Sequence, residues 1–416
     1  MKVARKPAMW ARRAVLAVVL VGAAIIPGRA STAGTQHCTG LRCTAAGSIL
    51  WTRALPGSWT AEPGVGGTEM SQAGAYAAVG GGVAVIGFGT MVTAYKAATG
   101  QLLWHASITG VPTGSVMVGV RVFPGVVAVG MIPPAGPSPG RDEVILSAAT
   151  GREIRAYPAA TYGGAIEADT GKTVVVGARS VTAYANATGH VLWSRTTGPA
   201  GQTWRVSGPD LYVTVMGNGR DQAVVTGLRR IDLRTGAERL VRPPRSAFTG
   251  TFSDAVDGVV LFSGTDGVRA YSGATGRPLW RRAAAVLELA DSGRDTVYLA
   301  SGSKLIGVSV VSGTVVSSAA AAVAGSLYSV SDGVALALDQ GGLGQAWGYD
   351  LSTRQVVWTS GPLPWPHFFV DLSGLGGSAS PGSDIVVLTT CAEVGAAGPS
   401  AAGPVCLRPE LAAVLV

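Results

Sequence analysis

Four cysteines, four histidines and a scatter of aspartates are the residues of this 416-residue chain with the greatest chemical reach. Cys38, Cys43, Cys391 and Cys406 sit near the two ends, with none between Cys43 and Cys391. An even set reads as disulfides in an oxidising compartment. A zinc site would want histidine at finger spacing, and only His37 stands beside a cysteine. Asp169, Asp254, Asp257, Asp332 and Asp371 fall in loop-like contexts. A polar ring of that kind could hold a cation or a peptide, although Asp in a turn ordinarily caps its own backbone. Met216-Gly217-Asn218-Gly219-Arg220-Asp221 has the composition of a calcium loop, but Asn-Gly is first a hairpin signal. Asn186-Ala187-Thr188 has the form of a glycosylation sequon, yet it coincides with a turn. Gly80-Gly81-Gly82 lacks the helix that phosphate binding needs. No serine stands in a recognisable elbow with His and Asp. No catalytic residue, metal ligand or cofactor is therefore expected, and the chain reads as a non-enzyme.

Composition narrows the classes. Gly numbers 60, charged residues are 13% and hydrophobic residues 47%. A disordered chain would be charge-rich and apolar-poor. A polytopic membrane protein would show several spans, and only one apolar run approaches spanning length. The formal charge of +8 suggests nucleic acid, but six of those charges are Lys2, Arg5, Lys6, Arg12, Arg13 and Arg29, and the first thirty residues hold no acid. The remaining +2 is no basic footprint, so no nucleic-acid partner is expected. Arg12-Arg13, the apolar run Ala14 to Pro27 and Gly28-Arg29-Ala30 instead make residues 1–30 a secretory signal. The alternative is an uncleaved membrane anchor through residues 9–28. No lipobox precedes Cys38. Both readings place the body outside the cytoplasm, secreted or held at the outer face of the cytoplasmic membrane.

Glycine with Val, Thr and Tyr points to short strands and tight turns, and one hairpin recurs. VTAYKAATGQLLW (92–104), VTAYANATGHVLW (181–193) and VRAYSGATGRPLW (268–280) are near copies, and WGYDLSTRQVVW (347–358) is a fourth. Tyr and Trp stand nine apart in each. Weaker copies lie at 144–157, 228–241 and 304–318. Turn positions 100, 151, 189, 236, 276, 313 and 354 are spaced at 37 to 51 residues, bracketing the ~40–45 of a four-stranded propeller blade. Two further β-rich runs fit between hairpins. The expected fold is all-β, an eight-bladed β-propeller of four-stranded antiparallel blades, over residues 47–416 after a short Cys-containing lead-in, 31–46.

Closure comes from the ends. Gly47-Ser48-Ile49-Leu50-Trp51 matches Gly100 to Trp104 but lacks a preceding strand. Leu407 to Val416 resembles a third strand with no fourth. Pairing them hides sheet edges. Placing Cys391 at the end of one strand and Cys406 at the start of its neighbour favours a Cys391–Cys406 disulfide, which leaves Cys38 with Cys43.

The hairpin resembles the repeat of the pyrroloquinoline-quinone-type β-propellers, Ala-x-Asp-x-x-Thr-Gly-x-x-x-Trp. Ala94, Thr99, Gly100 and Trp104 fit it, as do Ala183, Thr188, Gly189 and Trp193, and Ala270, Thr275, Gly276 and Trp280. The Asp position departs to Lys96, Ala185 and Ser272, and is kept as Asp232 and Asp350. The resemblance implies that Trp51, Trp104, Trp193, Trp280 and Trp358 dock neighbouring blades. It offers two functional branches. One is the quinone- and calcium-dependent dehydrogenases, whose vicinal disulfide this chain lacks. The other is a non-catalytic scaffold similar to the outer-membrane assembly lipoprotein. The second is preferred, with an extracytoplasmic protein or ligand as partner and a monomeric state expected. A quinone-dependent oxidoreductase, or a tethered sensor ectodomain, is the alternative. The glycine-rich stretches 374–382 and 395–403 are the expected variable binding loops.

Overall fold

The computed structural model describes residues 49–54, 59–60, 75–132, 142–157, 165–177, 180–197, 203–218, 223–244, 250–291, 295–301, 304–320, 327–331, 334–338, 346–351, 355–359, 385–395 and 405–415. All belong to one compact unit, Thr44–Val416. Residues 1–48, with the stretch expected to be a signal or anchor, Cys38 and Cys43, lie outside them, as do Asp332, Asp371, Arg354 and the loops 374–382 and 396–403.

The chain opens with β1 (Ile49–Ala54) and β2 (Trp59–Thr60). Then β3 (Ala75–Gly80), β4 (Val83–Phe88), β5 (Met91–Lys96) and β6 (Leu102–Ser107) form one sheet in chain order. The same up-and-down pattern repeats in β7 (Val116–Phe123), β8 (Val126–Ile132), β9 (Glu143–Ser147) and β10 (Glu153–Tyr157). It repeats in β11 (Ala165–Ala168), β12 (Lys172–Val176), β13 (Ser180–Ala185) and β14 (Val191–Thr196), and in β15 (Trp204–Ser207), β16 (Asp210–Asn218), β17 (Ala223–Asp232) and β18 (Glu238–Val241). Next come β19 (Thr251–Val256), β20 (Val259–Gly264), β21 (Gly267–Ser272) and β22 (Pro278–Arg282), then β23 (Val286–Asp291), β24 (Thr296–Ser301), β25 (Lys304–Ser309) and β26 (Val315–Ala320). β27 (Leu327–Ser331), β28 (Val334–Leu338), β29 (Ala346–Asp350) and β30 (Gln355–Thr359) follow. In the last sheet β31 (Ile385–Gly395) pairs with β32 (Val405–Leu415), and β32 pairs on to β1 and β2. The described residues are thus all-β, in four-stranded antiparallel sheets of the β-propeller type.

The second and third strands read as unbroken apolar runs because each sheet is buried on both faces. In β8, Val127 and Val129 enter a core shared with β4, β5 and Met117. Their neighbours Val126 and Ala128 enter a different core with Ala168 and Val175 of the next sheet. In β20, Val260 and Phe262 pack with Tyr212 and Leu228 on one side, while Val259 and Leu261 pack with Val297 and Leu299 on the other. The core is therefore a series of layers between successive sheets, each filled by side chains of alternating parity.

β1 runs antiparallel to β32, with Trp51 opposite Ala413 and Ala54 opposite Glu410. One feature of the fourth strands was not read from sequence. β1, β6, β10, β14, β22, β26 and β30 each carry a bulge near the start of the ladder, at Leu50, Leu103, Ile154, Leu192, Leu279, Val316 and Val357. The residue after the bulge is Trp51, Trp104, Arg155, Trp193, Trp280, Ser317 or Trp358. A bulge re-aims the side chain that follows it. β18 has none, and the corresponding residue there is Leu240.

Candidate functional site

Each Thr-Gly turn is built the same way. Gly100 sits at φ 64°, and the equivalent glycines 151, 189, 236, 276 and 313 at 67° to 75°. This left-handed region suits glycine and strains other residues. The Gly100 N–H donates to the Lys96 carbonyl at 2.8 Å. The Thr99 hydroxyl accepts the N–H of Gln101, and Thr150, Thr188, Thr235 and Thr275 do likewise. Where the pattern's Asp is kept, Asp232 accepts the N–H groups of Thr235 at 2.7 Å and Arg234 at 3.0 Å. The Thr235 N–H and hydroxyl hold its carboxyl below the usual range.

These turns receive the tryptophans of the preceding sheet. The Trp104 ring lies on Gly151 so closely that a Cβ there would overlap it, and its Nε1 donates to the Ala148 carbonyl at 2.8 Å. Trp51 stands the same way on Gly100, with its Nε1 to Ala97 O at 2.6 Å. Trp280 stands on Gly313, with its Nε1 to Val310 O at 2.6 Å. In every case the acceptor is the carbonyl three residues before the glycine. After Trp51, Trp193 and Trp280, though not after Trp104, an arginine two residues on completes the lock. Arg53 Nε donates to Gly100 O at 2.8 Å, Arg195 Nε to Gly236 O at 2.6 Å, and Arg282 to Gly313 O. Sequence reading missed these arginines, although the triplets Trp51-x-Arg53, Trp193-x-Arg195 and Trp280-x-Arg282 carried the signal.

Three junctions depart from the rule. Trp193 covers Gly236, but its buried Nε1 has no partner, because Lys172 Nζ donates to the expected acceptor, Leu233 O, at 3.3 Å. Arg155 takes the ring's place over Gly189. At Gly276 the backbone of Arg242 and Pro243 fills the space. The backbone of Trp358 pairs with Gly348; its side chain lies outside the described residues.

The other candidates are accounted for locally. Asp169 Oδ1 accepts the N–H groups of Gly171 and Lys172 at 2.6 and 2.7 Å. Asp257 sits in the β19–β20 turn at φ 47°. Asn186 is 2% exposed. Its Oδ1 accepts from Tyr157 and Thr173, both at 2.8 Å, and its amide donates to Asp169 O at 2.6 Å. That side chain is closed to glycosylation. Gly81 and Gly82 form the β3–β4 turn, and Asn218 ends β16 at the mouth of a hairpin. Cys391 lies inside β31 opposite Pro409, while Cys406 lies opposite Val394. The two are three residues out of register, ~10 Å along a ladder. A disulfide wants its Cα atoms within ~7 Å, so the link expected between these two does not follow from the register.

A polar belt does emerge on the innermost strands. Arg121 (β7), Glu167 (β11), Arg205 (β15) and Asp254 (β19) pair with Ala128, Val174, Tyr212 and Leu261, the same rung of each sheet. Their charges alternate in sign. Arg205 Nε donates across to Ser253 O at 2.7 Å, where β19 bulges. Burial pushes the Asp254 carboxyl up, against the pull of the Ala255 N–H and Arg205. Among the described residues no three His, Cys, Asp or Glu side chains gather as a metal set.

A search of curated protein sequences finds no match. Among solved structures the chain is similar to BamB from Moraxella catarrhalis, at 18% identity over 67% of this chain and 79% of that one, TM-score 0.40. It is similar to the computationally designed Ika8 protein, at 15% identity over 77% and 92%, TM-score 0.48. It is also similar to apo AztD from Citrobacter koseri, at 14% identity over 69% and 85%, TM-score 0.45. A family model described as outer membrane protein assembly factor BamB matches residues 92–251 and, in a second register, 177–342. Those residues hold the turn glycines 100, 151, 189, 236, 276 and 313 and the three ring contacts of Trp104, Trp193 and Trp280, and they make up more than half of the sequence. The chain belongs to this BamB-type family of pyrroloquinoline-quinone-like β-propeller repeats.

Proposed function

We propose that the chain is a closed, eight-bladed propeller that works outside the cytoplasm as a non-catalytic scaffold, binding a protein partner in an assembly. The observation that carries this reading is the repeated lock of ring, glycine and arginine. It joins sheet to sheet with side chains, which leaves the loops free to vary over a fixed frame. The pairing of β1 with β32, and the placement of Trp51 on Gly100, support closure by the two ends. The family's printed description, an assembly factor, supports a protein as the partner.

The test sets the scaffold against a quinone enzyme. Purified protein is titrated with pyrroloquinoline quinone and calcium while its absorbance and melting temperature are followed. The scaffold reading expects both to stay unchanged. A saturable shift accompanied by dye reduction overturns it.

A further inference from the structure

We propose, resting on the reading that the partner is a protein, that it docks acidic side chains on Arg239, Arg242 and Arg277, where the sheet β15–β18 meets the sheet β19–β22. Residues 223–282, from β17 to β22, hold ten arginines, no lysine and five acids, a net +5. The body beyond residue 30 carries +2 in all, so the remainder of it is −3. A small overall charge thus conceals one strongly basic region.

Most arginines of that region are occupied. Arg229 pairs with Glu238, and Arg230 with Asp210 at 2.8 Å. Asp266 takes both Arg269 and Arg281. Arg282 locks onto Gly313 O. Arg239, Arg242 and Arg277 are exposed, and among the described residues their guanidinium groups have no hydrogen bond or ion pair.

The missing lock accounts for Arg242. On β18 Leu240 stands where other sheets carry the ring, so Arg242 stands where Arg53, Arg195 and Arg282 donate to the next turn glycine. Here the backbone of Arg242 and Pro243 itself covers Gly276, and the guanidinium is released. The same contact brings Arg242 beside Arg277, the residue after Gly276. Three residues back along the chain, Arg239 stands opposite Arg230. Like charges opposite each other on a ladder destabilise it, and Asp210 answers only Arg230. One junction therefore holds three unanswered planar forks of donors, which carboxylates match two bonds at a time. Charge selects an anionic occupant, and the flanking residues select a protein. Leu240 and Leu279 are 43% and 39% exposed, one residue from Arg239 and two from Arg277. Arginine beside apolar area is the composition of a protein interface. A nucleic acid would call for a longer basic track with aromatic rings to stack its bases.

The experiment titrates the full chain into a fluorescein-labelled peptide of repeated Glu-Glu-Leu and follows anisotropy at low and at physiological salt. One variant combines Arg239→Gln, Arg242→Gln and Arg277→Gln. A control combines Lys96→Gln, Arg152→Gln and Lys304→Gln, three exposed cations on other sheets, and so loses the same charge elsewhere. Each is first shown to keep the parent's melting temperature. Should the first not, Arg239→Gln with Arg277→Gln replaces it and leaves the Arg242 seam intact. The patch variant should bind about tenfold more weakly than the parent, and the control close to the parent. No binding by the parent, equal loss in both variants, or tighter binding of duplex DNA through the same three arginines overturns the proposal. The quinone titration is untouched by any of these results, so this docking site and the scaffold reading fail separately.

Discussion

The contact between Trp104 and Gly151 gives the sharpest test of how the sheets are held. Trp104 is 7% exposed, and its ring occupies the space a Cβ on Gly151 would need. Trp104→Ala removes the ring and its bond to Ala148 O, for a loss of ~3–5 kcal/mol. Gly151→Ala does two things. It forces a side chain into φ 69°, at ~1–2 kcal/mol, and it drives a methyl into the indole, at ~1–3 kcal/mol. In the double variant the second penalty vanishes because the ring is gone, while the backbone penalty stays. The two changes should therefore be less than additive by ~1–3 kcal/mol. Trp104→Phe keeps most of the packing but leaves the Ala148 carbonyl unpaired, at ~1–3 kcal/mol. Urea unfolding followed by both indole fluorescence and far-ultraviolet dichroism measures the parent and the four variants, and coincident transitions license the comparison. Additivity within ~0.5 kcal/mol would show that ring and glycine do not meet, and the docking argument would fall with it.

Three further outcomes follow from the same geometry. Lys172→Met frees Leu233 O for the indole of Trp193, so the variant should melt no lower than the parent, whereas a clear drop would mean the amine carries the junction. Asp254 is raised by burial, so its charged form is disfavoured in the fold: its contribution is greatest below the unfolded carboxylate range and is lost as pH rises through the folded value. Asp254→Asn should accordingly melt higher than the parent at neutral pH and lose that advantage as pH falls through the raised folded value, with none left below ~4; a lower melting point at pH 7 would mean that pairing with Arg205 outweighs burial. Removing residues 405–416 deletes β32 and leaves β1, β2 and β31 without a ladder partner, so the truncated chain should lose cooperative unfolding, and unchanged melting would end the case for closure.

The repeat was legible because it is local. Tyr, Thr-Gly and Trp lie within a dozen residues, and their spacing encodes a strand, a turn of fixed dihedral and a second strand. The role of Asp232 as a turn cap could be read from the same stretch. The locks were half legible. A tryptophan at fixed spacing announces burial, but the arginine two residues on resembles any surface cation until its acceptor, 31 to 47 residues away, is placed. The bulge is invisible to a period-two reading, since Leu102-Leu103-Trp104 looks like a plain apolar run. The belt of Arg121, Glu167, Arg205 and Asp254 was missed for a similar reason. The four share no local pattern, only a common rung fixed by the turn that follows each strand. The cysteines were misjudged through strand length: β31 and β32 run eleven residues each instead of the five or six seen in most other strands, and the extra ladder shifts Cys391 inward from the end where it was expected.

The bulge also ties the lock to the surface it leaves behind. In a regular strand successive side chains alternate faces, so the residue before an inward ring points away from it and the one before that points inward again. Inserting one residue breaks that alternation. Ala94 faces Trp104 while Tyr95 faces Leu102, and Leu103 is left without a rung. The ring gains its aim onto the next sheet's glycine, and two consecutive residues are turned toward solvent at an edge strand that has no further neighbour. A charged pair there would satisfy the lock and also discourage edge-to-edge pairing, the usual protection of such strands. Val191-Leu192, Val315-Val316 and Val356-Val357 occupy the position instead, each residue 48% to 58% exposed. The edge itself is already guarded, because the bulge interrupts its ladder. The docking of sheets thus fixes where the rim residues stand, and their apolar chemistry is a separate property that the docking does not require.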